Sequence, residues 1–310
     1  MINVKYFNSS VSKPLERSTI EGTLRYAGYA ASTAASVTST VVNRMQDRTD
    51  TVSYKDLVQF IADEVKDSRI RKNYLAINQF LMAAYNRSIT TPFYFMIGGT
   101  SGTGKDTLAN ELSHYLGTET PVSTDLLRFM KRQEVLQQYE NDEDKVPAEL
   151  KPLFGASYKI GIDGFLLQVE YVGQKIPEIV GQTSRQGQEI MRPIYILQGI
   201  HVVPGTEDHV EGNNKHLVIL NPSYDALSTI NFVRFEQERG PTDPTNEAER
   251  SENFSMLYTI QEHILQMAHE RESTIICADG REDMLHKFSD SLTPKLEKIL
   301  QSVGVDLINN

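Results

Sequence analysis

The stretch Phe93-Tyr-Phe-Met-Ile-Gly98-Gly-Thr-Ser-Gly-Thr-Gly104-Lys105-Asp-Thr107 decides the fold. Thr91-Pro92 interrupts the helical period ahead of it. The apolar run from Phe93 to Ile97, closed by Gly98-Gly99, has the length and composition of a buried strand. Beyond the glycines, Leu108, Leu112 and Leu116 recur at helical spacing. A glycine-rich loop between strand and helix lets backbone N–H groups converge on a phosphate at the helix N-terminus. Lys105 then places a cation beside the β and γ phosphates. Gly99, Thr100, Ser101, Gly102, Thr103, Gly104, Lys105, Asp106 and Thr107 are therefore the candidate ATP-binding loop.

Working outward, short apolar runs recur from Thr120 to Val122, Ile194 to Leu197, His216 to Leu220 and Thr274 to Cys277, with helical patterns between them. This alternation, with the glycine-rich loop, predicts an α/β fold of P-loop type with a parallel sheet flanked by helices. Cys277 reads as inert core on the last strand. On the N-terminal side, the Ala-, Ser- and Thr-rich residues from Leu15 to Arg44 have mostly helical spacing. Ser53, with Asp56 three residues on, reads as the N-cap of a helix carrying Leu57, Phe60, Ile61 and Val65. A further helical segment runs from Lys72 to Tyr85. The expectation is a small all-helical N-terminal domain over residues 1–88 and a kinase domain over residues 89–310. The polar segments from Gln133 to Lys151 and from Gly240 to Ser251 read as mobile surface.

The chain has 310 residues, 39% hydrophobic, which is too apolar for a disordered tail. Its 31 basic and 41 acidic residues leave a net charge of -10, which disfavours nucleic acid as a partner. An anionic small-molecule substrate must then meet a local cluster of Arg and Lys. One cysteine excludes a disulfide framework and a Cys-rich zinc site. No apolar run reaches the roughly 18 residues of a membrane span, and the N-terminus lacks a signal-peptide core, so a cytoplasmic protein is expected.

Several residues around the loop carry candidate chemistry. Asp106 stands where a Ser or Thr hydroxyl commonly meets Mg²⁺, and Gln198 ends the third strand where a second carboxylate would commonly sit. Either the acid has moved from one side of the metal to the other, or Asp106 caps the helix. Asp125, at the end of the next strand-loop, is placed to accept the proton of an attacking hydroxyl, and also suits an N-cap. Arg128, one turn later, can hold an anionic group of the acceptor. Arg234 and Arg239 can close over the transferring phosphate, although Arg234 to Glu238 is also the spacing of a solvated ion pair. His201 is a candidate substrate contact, or else a packed, hydrogen-bonded histidine.

Three segments, Gly98-Gly-Thr-Ser-Gly-Thr-Gly-Lys105, Ser123-Thr-Asp125-Leu-Leu-Arg128 and Gly199-Ile-His201-Val-Val-Pro204-Gly205, resemble the archaeal-type 2-phosphoglycerate kinases. The likeness extends from about Lys13 to Leu292. It implies an ATP-cone-like N-terminal region joined to a P-loop kinase domain, and ATP-dependent phosphorylation of 2-phosphoglycerate to 2,3-bisphosphoglycerate. This chain departs from the family pattern at Asp106, where Ser is usual after the lysine, and at Gln198, where Glu is usual. Two other readings stand beside it. A nucleotide or polynucleotide kinase is one, because lysine followed by aspartate also occurs in some nucleotide-kinase phosphate loops. A nucleotide-binding regulatory module with weak catalysis is the other, prompted by Gln198.

Overall fold

The stretch from Leu15 to Arg44 is broken at Gly28 in a computed structural model of the protein, which describes residues 2–6, 12–46, 51–116, 118, 120–185, 194–239 and 245–305. Gly28 adopts φ +128°, and its N–H reaches the Leu24 and Arg25 carbonyls. Helix α1 (Arg17–Ala27) therefore stops there and α2 (Ala31–Gln46) starts afresh. Three short strands, β1 (Asn3–Lys5), β2 (Ser12–Pro14) and β3 (Thr51–Ser53), form a sheet ordered β2-β1-β3. The first pair is antiparallel and the second parallel. The N-terminal part is thus helical with a small mixed sheet added, rather than all-helical. Strands this short leave no alternation to read.

Helix α3 (Tyr54–Glu64) is capped as its sequence predicts, the Ser53 hydroxyl oxygen accepting the Asp56 N–H at 3.1 Å. Helix α4 (Ser68–Tyr85) begins a turn ahead of its expected start at Lys72. Asp67 caps it, Oδ1 accepting the N–H groups of Arg69 and Ile70 at 2.9 and 3.0 Å.

The five apolar runs form strands β4 (Phe93–Gly98), β5 (Val122–Ser123), β6 (Ile194–Gly199), β7 (Lys215–Leu220) and β8 (Thr274–Ile276), in the order β5-β6-β4-β7-β8. The pairs β4–β7, β5–β6 and β7–β8 run parallel. Every residue of β4 is buried, as a parallel strand covered on both faces requires. The covering helices are α5 (Lys105–Leu116), α6 (Thr124–Gln138), α7 (Gly161–Arg185), α8 (Tyr224–Arg239) and α9 (Thr245–Glu270). This is the α/β architecture of a P-loop kinase, with Met96, Leu127, Phe165, Leu197, Ile219 and Ile264 in one core.

Two expectations change here. Residues 139–160 contain three 3-10 turns rather than a bare surface loop, and Val135, Val146 and Leu153 form a small buried cluster. Cys277 lies just past the end of β8 and is exposed, so it is not core.

Helix α10 (Arg281–Ser302) completes the chain. One compact unit comprises Met1–Phe93, Glu111–Glu119 and Gly280–Asn310; the other comprises Tyr94–Asn110 and Thr120–Asp279. Neither unit is a single continuous stretch of the chain. The reason α10 groups with the N-terminal helices is both apolar and polar. Leu285, Phe288, Leu292 and Leu296 are buried. Asn73 donates to Asp290 Oδ1 at 2.7 Å and to the Ala27 carbonyl at 3.2 Å, while Thr293 donates to Asn73 Oδ1 at 2.7 Å. A buried amide satisfied this way tethers α10 to α1 and α4. No helix among the described residues is long and apolar enough to cross a membrane.

Candidate active site

The loop after β4 owes its path to close backbone approaches. A Cβ at Gly98 would lie 2.0 Å from the Val202 carbonyl oxygen. Gly99, at φ +135°, would bring one within 3.0 Å of the Leu220 carbonyl oxygen. The next residue, Thr100, is fully buried and is held from α9: its N–H and its hydroxyl both donate to Gln261 Oε1, each at 3.0 Å. Gln261 Nε2 in turn donates to the Leu220 carbonyl at 2.9 Å. From α8, Asn231 Nδ2 donates to the Ser101 carbonyl at 3.0 Å. Lys105 opens α5 and is buried, its Nζ donating to the Thr100 carbonyl at 3.3 Å, while Thr103 donates its hydroxyl to the same oxygen at 2.9 Å. Asp106 and Thr107 are exposed on the first turn, with Asp106 Oδ2 3.7 Å from Lys105 Nζ.

A second wall rises from the β5–α6 junction. Ser123, not Asp125, caps α6, its hydroxyl oxygen accepting the Asp125 N–H at 3.2 Å. Asp125 is released from capping and stands exposed in the first turn, where its charge suits the helix N-terminus. Arg128 Nη2 lies 3.8 Å from Asp125 Oδ1, and Nη1 donates to the Gly155 carbonyl at 2.7 Å. Burial lowers the pKa of the Arg128 guanidinium and the Asp125 carboxylate opposes that shift; the group stays charged.

His201 is buried, and both ring nitrogens are engaged. Nδ1 is 3.2 Å from Thr124 Oγ1 and Nε2 is 3.0 Å from Gln168 Oε1. Of the two readings of His201, this geometry favours the packed, hydrogen-bonded histidine. Burial, followed by the charges of Arg128 and Lys105, pushes its pKa down to about 3, so the ring is neutral.

Gln198, the penultimate residue of β6, is in register with Ser123 of β5. It is buried, and its Oε1 has no hydrogen-bond partner. Among the described residues no group of three or more His, Cys, Asp or Glu side chains is arranged to hold a metal ion. Arg234 and Arg239 lie on the last turns of α8, and their side chains fall outside the described residues.

Over 314 aligned residues, 99% of both chains, the sequence is 24% identical to a protein named 2-phosphoglycerate kinase from Pyrococcus horikoshii. Two proteins of the same name are also 24% identical. That of Pyrococcus furiosus aligns over 76% of this chain and 74% of its own, and that of Thermococcus kodakarensis over 66% and 67%. The chain is thus similar, over nearly its whole length in one case, to archaeal proteins named 2-phosphoglycerate kinase. No family model matches it. The relatives are named as kinases, and a phosphotransferase is what a glycine-rich loop ending in the buried Lys105 suits.

Sequence reasoning missed the residues that hold the site rather than those that face it. Gln261 interrupts the apolar series Leu257, Ile260 and Ile264 on α9, and Gln168 sits between Leu167 and Val169 on α7. Both are fully buried. A glutamine among apolar neighbours on a helix is the available signal, since a buried amide needs dedicated partners.

Proposed function

We propose that the protein is an ATP-dependent small-molecule kinase that phosphorylates the 3-hydroxyl of 2-phosphoglycerate, giving 2,3-bisphosphoglycerate and ADP. The observation that carries the reading is the glycine-rich loop held from α9 and α8 with the buried Lys105 at the start of α5, beside which α6 supplies Arg128, its guanidinium anchored on the Gly155 carbonyl. One cation serves the nucleotide and the other the phosphate or carboxylate of the acceptor. The names of the archaeal relatives supply the acceptor.

In this reading Gly99 to Thr107 receive the ATP phosphates, with the loop pinned in advance by Gln261 and Asn231. Asp125 takes the proton from the attacking hydroxyl. The new O–P bond forms as the bond from the γ-phosphorus to the β,γ-bridging oxygen breaks, and ADP leaves. Lys105 stabilises charge on the phosphates, and Arg234 and Arg239 close over them from α8. Arg128 orients the acceptor. The neutral His201 ring touches no substrate and fixes Thr124 beside the α6 N-terminus.

Mg²⁺ fits the residues present. Gln198 Oε1 is a buried oxygen without a donor, and Asp106 offers an exposed carboxylate. Both are hard oxygen ligands, and the ion would neutralise phosphate charge when bound. A net charge of -10 disfavours nucleic acid as the acceptor, and in this reading the enzyme is cytoplasmic. The N-terminal helices serve packing in this scheme.

The test is acceptor-dependent ADP release with ATP and Mg²⁺, with the product identified by phosphorus NMR. 2,3-Bisphosphoglycerate is the expected product. Turnover of nucleoside monophosphates in its place would select the nucleotide-kinase reading, and no transfer to any acceptor would select the regulatory one.

A further inference from the structure

The Gln168 side chain has every hydrogen-bonding position filled. Its Nε2 donates to the Pro152 and Gly155 carbonyls at 2.7 and 2.9 Å. Its Oε1 accepts the Ser157 hydroxyl at 2.7 Å and faces His201 Nε2 at 3.0 Å. An amide offers two N–H donors and two acceptor lone pairs, so the set is complete. Carbonyls can only accept, which fixes which end of the amide is nitrogen. His201 must then carry its proton on Nε2, and its Nδ1 receives the Thr124 hydroxyl proton.

The Gly155 carbonyl is shared. It accepts from Gln168 Nε2 and from Arg128 Nη1, the latter at 2.7 Å. One edge of the guanidinium is thereby anchored to an oxygen that the buried amide itself holds. The Nη2 edge is left toward Asp125, 3.8 Å from its carboxylate. A guanidinium has five N–H donors in a rigid fork, so anchoring one of them aims the rest.

We infer that Gln168 is a positioning residue of the phosphotransfer site, fixing the Arg128 guanidinium through the Gly155 carbonyl so that its free edge recognises the anionic group of the acceptor. This rests on the reading of Arg128 as the acceptor-binding cation. The residues between α6 and α7 thereby become a specificity element. Their 3-10 turns at Lys151–Phe154 and Ser157–Lys159 present the carbonyls and hydroxyl that Gln168 gathers. The link is selective, because the loop that receives ATP is held by a different amide, Gln261.

Two measurements test it. Long-range proton–nitrogen NMR of the wild-type protein at neutral pH needs neither substrate nor variant. A neutral His201 protonated on Nε2 is expected, and a ring protonated on Nδ1 overturns the inference. In steady-state kinetics, the near-isosteric Gln168→Met should raise the KM for 2-phosphoglycerate about tenfold while the KM for ATP stays within about twofold, the scale of one lost hydrogen bond to a charged group. In an Arg128→Ala background the same substitution should add almost nothing. Equal rises in both KM values, or full additivity with Arg128→Ala, overturns the inference. A wild-type protein inactive on 2-phosphoglycerate faults the acceptor assignment instead. The inference is then decided by the tautomer and by a double-mutant cycle of the two residues in urea unfolding, where strict additivity refutes it.

Discussion

Gln261 on α9 and Thr100 in the phosphate loop share one oxygen: Gln261 Oε1 accepts the Thr100 N–H and its hydroxyl, each at 3.0 Å. The same amide donates to Leu220 at the end of β7, so a helix distant in sequence fixes the loop against the neighbouring strand. Gln261→Leu would leave these buried groups unmatched, at about 1–3 kcal/mol for each one not re-solvated. The expected result is a lower unfolding midpoint and weaker ATP binding by calorimetry, with little change in acceptor KM. An unchanged ATP affinity would show that the loop keeps its shape without α9.

Lys105→Ala should abolish turnover while the protein remains folded by circular dichroism. Asp125→Asn should differ in kind, since a group acting on the acceptor hydroxyl contributes mainly in the transition state. A fall in kcat of about 10²–10⁴-fold with nearly unchanged ATP affinity is expected. A loss confined to ATP affinity would move Asp125 to the metal site.

Gly199 is a packing constraint on the site. It adopts φ +151°, and a Cβ there would lie 1.7 Å from Thr124 Oγ1, the hydroxyl that serves His201. Gly199→Ala must displace Thr124, and over-packing of this kind costs about 1–3 kcal/mol. Urea unfolding reads the cost. A variant as stable as wild type would show that the strand end gives way easily.

The parallel sheet and the loop were legible because both depend on local pattern. Five apolar runs with helical spacing between them have few other folds to adopt, and a glycine-rich turn ending in lysine needs only its own strand and helix. Gln198 and Asp106 stood out for a related reason, as departures at positions where another side chain is usual. The supporting shell was not legible: Gln168 and Gln261 act through partners far along the chain, at His201 and Thr100. Three-residue strands in the N-terminal unit carry no period at all. The partner of α10 was equally hidden, because an apolar stripe states that a helix is buried and not against what. Asp125 illustrates a subtler failure: Ser123, two residues earlier, is an equally good cap, and only backbone geometry selects it.

His201 makes stability depend on pH. Its folded pKa is about 3 against an ordinary 6.5. Between these values the unfolded chain binds a proton that the folded protein does not, so stability is full above pH 6.5 and is lost as the pH falls toward 3. The slope from this residue reaches about 1.4 kcal/mol per pH unit within that window. Urea unfolding of wild type and His201→Gln between pH 6 and pH 4 isolates it, because the carboxylates titrate in both. Parallel pH profiles would mean that the ring takes up its proton without unfolding.

Asp106 and Gln198 should act on one Mg²⁺ ion and be energetically coupled. Gln198 brings a buried oxygen that no donor satisfies, and Asp106 brings a carboxylate beside Lys105. With a single carboxylate in the pair, moving the acid from helix to strand preserves local charge only when both positions change. Asp106→Ser alone removes the acid and should raise the Mg²⁺ concentration needed for half-maximal turnover. Gln198→Glu alone sets two carboxylates near the ATP phosphates and should weaken nucleotide binding by like-charge repulsion. The double variant should recover part of each loss, with a coupling energy of about 0.5–3 kcal/mol, as for residues that share a site. Strict additivity in Mg²⁺-dependent turnover would separate the two residues, leaving Asp106 to the first turn of α5 and the buried Gln198 oxygen to some other donor.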